Sequence, residues 1–285
     1  MKKMSCTVLM WAMCLSALTG CGVNTADEIT VVSREDGSGT RGAFVELFDI
    51  EKENSEGNKE DMTIDSSEIT NSTSVVITSV SGNTSAIGYI SLCALNDKVR
   101  ALSIDGTEAN AENIKNGTYK ASRPFNIAVK ENLSKEAADF IEFIMSKEGQ
   151  KVIEDSGYVS IENNGSYSGG KISGKIKIAG SSSVAPVMEK LKEAYIKINT
   201  YADIEIQQND STTGMTSAAE GICDIGMASR GLKQSELEKG LIQKKIAMDG
   251  IAVIVSNESE YFSVSSQDIN AIYTGQKKLW SEIDK

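Results

Sequence analysis

The sequence predicts an α/β fold, and three observations carry that expectation. Short β-branched runs alternate along the chain with segments of helical periodicity. One run, residues 251–255, is apolar without a break, as in a strand covered on both faces. The composition is that of a globular protein, 40% hydrophobic and 24% charged over 285 residues. That length allows one large or two ordinary domains, with a substantial core.

Taken in order, strand signals fall at 29–32, 88–90, 99–104 and 125–129. A helix is expected at 43–48, and another from Ser134, with Ala137, Ile141, Ile144 and Met145 on one face. In the back half a strand at 175–178 precedes a helix opening at Pro186, a residue favoured in a first helical turn. Its apolar face is Val187, Met188, Leu191, Tyr195 and Ile198. Ile204 and Ile206 alternate with polar residues as in a strand, a short helix follows at 215–220, and a last helix from Ser266 carries Ile269, Ile272 and Tyr273. The β-branched stretch 74–80 reads as strand by content, while Asn71 and Ser72 before it suit a helix start. Residues 51–61 are charged and read as a surface loop. Residues 161–174, with Asn163, Asn164, Gly165, Ser166, Gly169 and Gly170, read as a flexible linker between halves of similar length.

Residues 1–20 are an address rather than part of the fold. Lys2 and Lys3 precede an apolar run at 7–15, which is too short to cross a membrane and has the length of a signal-peptide core. The run ends in Leu18-Thr19-Gly20-Cys21, which resembles the cleavage box of bacterial lipoproteins and makes Cys21 the lipidated first residue of the mature chain. The mature chain then has 27 basic and 40 acidic residues, a net charge of −13. Cys93 and Cys223 remain, as one disulfide or as two free buried thiols.

Composition also excludes functions. There is no histidine, so Ser-His-Asp and Cys-His catalysis and histidine-ligated metals are out. No metal-ligand cluster and no activated nucleophile stands out, so neither an enzyme nor a resident cofactor is expected. An acidic chain does not suit the phosphate backbone of nucleic acids.

The motif with the most chemistry is 33–42, Ser-Arg-Glu-Asp-Gly-Ser-Gly-Thr-Arg-Gly, between a strand and a helix. Glycines let backbone approach a ligand. The N–H groups and dipole of a helix start attract negative charge. Ser38 and Thr40 add hydroxyls, Gly39 exposes backbone, and Arg34 offers a fork for two oxygens of an oxyanion, with Asp36 placed to steady it. The same junction recurs at 180–183 with Ser182 and Ser183, at 210–214 with Ser211 and Thr212, and at Ser229. Each alone is an ordinary helix cap; together they outline an anion cradle whose charge is local. Gly37, Gly39 and Gly42 also fit the dinucleotide fingerprint, but the required acid about twenty residues on falls in the charged loop before Asp61.

These segments, with 86–91, 113–119, 122–124, 224–230, 248–253 and 272–282, resemble the PstS family, the phosphate-binding proteins of the bacterial phosphate ABC importer. The resemblance covers nearly all of residues 29–285. It implies a periplasmic-binding-protein-like (type II) fold of two lobes closing about a hinge, and a helix at 71–81. The order is inverted: the family's second half comes first here. A circular permutant joined through 161–174, which can span up to ~45 Å if extended, and a slice across two tandem copies both account for it. A permutant implies that the end of the chain lies beside residue 29. The implied crossings are at 123–125 and 253–255, so one lobe is 29–123 plus 256–285 and the other 124–255. The resemblance further implies that Arg34, Ser38, Gly39, Thr40, Ser182, Ser183, Ser211 and Ser229 bind phosphate, with Asp36 and Thr212 in support. Some members have an aspartate where Ser229 stands, which selects protonated phosphate over sulfate; with serine, sulfate or another oxyanion stays open. The implied partners are inorganic phosphate, the permease subunits, and the membrane through a lipid anchor on the extracytoplasmic face. A non-transporting phosphate sensor is the alternative.

Overall fold

A computed structural model describes residues 27–53, 59–170 and 172–284. The expected signal peptide, the expected lipidation box and Cys21 lie outside the described residues. The elements run β1 (Thr30–Arg34), α1 (Gly39–Leu47), β2 (Glu51–Glu53), β3 (Lys59–Asp61), β4 (Glu68–Thr70), α2 (Thr73–Ser81), β5 (Ala86–Ser91), β6 (Val99–Ala101), β7 (Ser103–Ile104), α3 (Ala111–Lys115) and β8 (Ser122–Val129). They continue with α4 (Lys135–Met145), α5 (Lys147–Asp155), β9 (Gly174–Ser181), α6 (Ala185–Ile198), β10 (Ala202–Asn209), α7 (Ser211–Glu220), β11 (Ile225–Ala228), α8 (Gln234–Leu237), β12 (Ile242–Ser256), β13 (Ser263–Val264) and α9 (Ser266–Tyr273).

The main sheet has nine strands in the order β10-β9-β11-β8-β12-β5-β1-β4, with β6 also on β12. Its outer parts are parallel and its middle is antiparallel. β12 serves both ends. Residues up to Gly250 pair with β8, and Ile251 to Val255 pair with β5. The buried side chains divide at the same place. Phe125, Ile127, Phe140, Met188, Tyr195, Ile246 and Ala247 share one core. Phe44, Tyr89, Ile251, Val253, Val255, Ile272 and Tyr273 share another. The expected lobe boundary after Val255 is therefore corrected to Gly250, five residues earlier. An unbroken apolar run signals burial on both faces, and 251–255 has it, but burial does not say which core receives it.

Other expectations shift for local reasons. The stretch 73–81 is helical: Ser72 caps it by accepting from Val75 N–H, and Val76, Ile77 and Val80 are buried at helical spacing. Residues 51–53 and 59–61 pair as an antiparallel ribbon, β2 with β3, where a plain loop was expected. Ile198 is half exposed in the last turn of α6, while Val187, Met188, Leu191 and Tyr195 are fully buried. Residues 99–104 divide into β6, which pairs with β12, and β7, which pairs with β13. Cys93 and Cys223 are free thiols. Among the described residues no helix is long and apolar enough to cross a membrane.

The described residues between Ile161 and Ser173 have no regular structure, yet they are fastened. Asn164 N–H donates to the Met145 carbonyl, Lys147 N–H to the Gly165 carbonyl, and Tyr167 N–H to Glu148. The Tyr167 ring packs edge-on against Phe143 and Tyr195, and its hydroxyl donates to Asp139, as does that of Tyr195. Burial and the Asp139 carboxylate push the Tyr167 phenol up to about 12. The stretch expected to be a flexible linker thus carries one aromatic residue that packs it against the fold. At the other join, Ile29 N–H donates to the Lys278 carbonyl and Trp280 N–H to the Asp27 carbonyl, so the last described residues lie beside the first. The front and back halves pair directly, β5 and β8 with β12.

Tyr167→Ala is expected to lower stability by about 1–3 kcal/mol, from the ring contacts and the part-buried hydroxyl together. Urea unfolding checks it; an unchanged midpoint would mark the segment as a free tether.

Candidate functional site

The predicted residues meet at one buried seam between the two cores. β1 ends in Ser33 and Arg34, and Ser38 caps α1 by accepting from Arg41 N–H at 3.3 Å. β9 ends at Ser181, and Ser182 and Ser183 lead into α6. β10 ends before Asp210, which caps α7 by accepting from Thr213 N–H at 2.8 Å and leaves Ser211 as the first helical residue. β11 ends at Ala228, and Ser229 follows. Every one of these junctions is a strand's C-terminal end, where ligands of open α/β sheets bind. Arg34, Ser38, Thr40, Ser182, Ser183, Ser211 and Ser229 are all at most 7% exposed.

The seam is closed by hydrogen bonds from one core to the other. Arg34 Nη2 donates to Ser182 Oγ at 3.3 Å. The hydroxyls of Thr40 and Ser183 are 2.9 Å apart. Both the N–H and the hydroxyl of Thr212 donate to the Gly37 carbonyl at 3.3 Å. On the far side, Ser181 Oγ donates to Ser229 Oγ at 3.0 Å, and Ser229 N–H donates to Ser211 Oγ at 3.2 Å. Gly39 lies against these hydroxyls, so a β-carbon there would collide with Ser211 Oγ and Ser229 Oγ. Gly180 has φ of 134°, and a β-carbon there would run into the Met227 backbone.

Arg34 is held differently from the expectation. Glu35, not Asp36, takes Nε and Nη2 in a bidentate pair, each at 2.8 Å. Asp36 points outward and pairs with Arg41 at 2.8 Å. Arg41 also donates to Asp61 at 2.7 Å and to the Arg34 carbonyl at 2.8 Å. Burial pushes the Asp61 carboxyl up, but the hydrogen bonds of Thr63 and Arg41 outweigh it and hold the group below the usual range. Arg34 and Glu35 together are neutral. The remaining attraction for an anion comes from the N-termini of α1, α2, α6 and α7, each equivalent to roughly half a positive charge.

Several participants have only weak signals in the sequence. Thr73, at the start of α2, brings its hydroxyl within 3.3 Å of Ser183 Oγ. Tyr89 accepts from Arg34 N–H at 3.2 Å, sits 2.9 Å from Ser33 Oγ, and stacks on Phe44. Burial pushes its phenol up to about 12. Arg230 makes a bidentate pair with Glu236 at 2.7 and 2.9 Å and donates to Thr212 Oγ1 at 3.1 Å. Burial works against the Glu236 carboxylate, yet Arg230 and the Lys233 N–H hold its pKa below the ordinary value. Arg230 follows Ser229 directly, so adjacency to a donor cluster is the signal that would have found it.

Comparison with known proteins adds an independent line. The family model of a PBP superfamily domain matches residues 11–148 and 165–285. The phosphate-binding protein PstS 2 of Streptococcus agalactiae is 50% identical over 289 residues, covering 100% of this chain and 99% of its own length. A crystal structure of a phosphate-binding protein of a phosphate ABC transporter from Streptococcus pneumoniae is 44% identical with a TM-score of 0.70, covering 90% of this chain and 100% of that one. The phosphate-binding protein PstS of Staphylococcus aureus is 33% identical over 129 residues, 42% of this chain and 39% of its own length. The first match runs end to end, so the order of the segments is shared with that relative.

Gly39→Ala is expected to leave the two cores folded and to hold the seam apart. Amide exchange at Thr212, whose N–H crosses the seam to Gly37, should then lose protection; unchanged protection would show that Gly39 is not the point of closest approach.

Proposed function

Because the chain belongs to the PstS family of phosphate-binding proteins, we propose that it captures inorganic phosphate outside the cytoplasm and delivers it to an ABC permease. The observation that carries this reading is the convergence of Arg34 with the hydroxyls of Ser38, Thr40, Ser182, Ser183, Ser211 and Ser229 at one buried seam. A tetrahedral oxyanion would accept from these groups in place of their bonds to one another. The donors are fixed by strand ends and helix caps before the ligand arrives, so little ordering remains to oppose binding. The neutral Arg34–Glu35 pair leaves the ligand's charge to backbone dipoles, which suits a chain that is acidic overall.

Ser229 bears on selectivity. A hydroxyl can donate to an ionised oxygen or accept from a protonated one, so phosphate is favoured with less discrimination against sulfate than a carboxylate would impose. Anchoring through a lipidated Cys21 is supported by the charged start, the short apolar run and the Leu18–Cys21 box. A phosphate sensor without transport is the second reading; normal phosphate affinity without permease-dependent uptake would favour it.

Isothermal titration tests the reading directly: phosphate should bind, and no heat with phosphate or sulfate would remove it. Arg34→Ala should weaken phosphate binding at least tenfold, about 1.4 kcal/mol. Ser229→Asp should cut sulfate affinity more than phosphate affinity in the same titrations.

A further inference from the structure

The site residues are buried, so a ligand reaches them only when the two cores part. The described chain passes between the cores at two places, the start of β8 and the middle of β12. These are neighbours in the sheet: Ser122 pairs with Gly250 and Arg123 with Asp249. Any parting therefore bends the chain where Arg123 and Asp249 sit side by side. Their side chains form a buried ion pair, Arg123 Nη2 and Nε donating to Asp249 Oδ2 at 3.2 and 3.4 Å. Ser91, at the end of β5, donates to Asp249 Oδ1 at 2.8 Å. The groups facing the carboxylate come from both cores. Ser91, Cys93 and Tyr119 lie on one side, Arg123 and Tyr158 on the other, with the Gly250 N–H on β12 itself.

This pair is poorly satisfied. Among the described residues Arg123 Nη1 is buried with no hydrogen-bond partner, and the positive charge of Arg34 acts on the same guanidinium. We propose that the Arg123–Asp249 pair is a positioning element for phosphate capture, a hinge spring whose desolvated charges oppose closure and are relieved when the cores part. The inference rests on the phosphate reading above. The opposing force is desolvation. Closure removes water from both charges, and the longer hydrogen bonds restore only part of that loss. Parting separates Ser91 and Cys93 from Tyr158 and lets water in.

The sign of the pH effect follows. Burial pushes the Asp249 carboxyl up to about 6 in the closed arrangement, although Arg123 and Ser91 pull it down. Hydration in the open arrangement returns it toward its ordinary value. The closed form then binds the proton more tightly, so closure is favoured as pH falls through about 6 and opposed at neutral pH.

Two measurements test this, phosphate titration and small-angle scattering of ligand-free protein, each from about pH 5 to pH 8. The proteins are the native chain, the charge-free Arg123→Met/Asp249→Leu double variant, and Asp249→Asn. The double variant should bind phosphate about three- to tenfold more tightly than the native chain at the upper pH, and the advantage should shrink toward the lower pH. The ratio between the two proteins cancels phosphate's own titration. The native chain should become more compact as pH falls, and both variants should not. A ratio constant with pH would overturn the spring. Asp249→Asn keeps the test if the double variant does not fold: its ratio to the native chain must still change through about pH 6. Should the native chain bind no phosphate, the phosphate reading fails alone, since scattering still reports whether the hinge responds to pH.

Discussion

The antiparallel pairing of β8 with β12 is the constraint on which the rest depends. It is the only place where the described chain passes from one core to the other, and it does so twice within one pair of hydrogen-bonded neighbours. Because the two passages are adjacent, the cores can turn about a single line while each stays packed. Because the line is short, the turn brings β1, with Arg34, against the ends of β9, β10 and β11. A site divided between two cores is therefore a consequence of sheet order, and its burial is a consequence of closure.

Charge balance follows the same logic. A buried carboxylate–guanidinium pair is costly unless both partners are well satisfied. Arg34–Glu35 and Arg230–Glu236 are bidentate, with distances of 2.7 to 2.9 Å. Arg123–Asp249 is longer and leaves one nitrogen without a hydrogen-bond partner among the described residues. The well-made pairs fix the walls of the seam, and the poorly made one sits at the bend. That distribution places strain where movement is needed and rigidity where donors must hold their aim.

The α/β class and most residues of the seam were legible in the sequence because both rest on local rules. A strand signal followed by glycine, serine and threonine before a helix implies exposed N–H groups whatever the tertiary context, and this found Ser38, Ser182, Ser211 and Ser229. What escaped depends on direction or on distant neighbours. Glu35 and Asp36 are adjacent and alike in chemistry; only the turn after β1 decides that one faces Arg34 and the other Arg41. The place where β12 changes cores is invisible in an apolar run that is buried throughout. Tyr167 anchors a stretch whose composition predicts freedom, since one ring outweighs several polar residues once an aromatic pocket is near. Asp249 carries no periodic signal at all, because its importance comes from the strand beside it.

The order of the two halves along the chain matters less than the contacts between them. Asp27 and Ile29 bond to the segment around Lys278 and Trp280, so the first and last described residues meet at one point on one core. The 161–174 stretch joins the halves on the other core, held by Tyr167 and by backbone bonds to α4 and α5. Neither join contributes a residue to the seam. The pairings that build the site, β1 with β5, β9 with β10 and β11, and β12 with β5 and β8, are each satisfied by side-chain pattern and register. Which half is read first is then a matter of connection, and the geometry of the seam is indifferent to it.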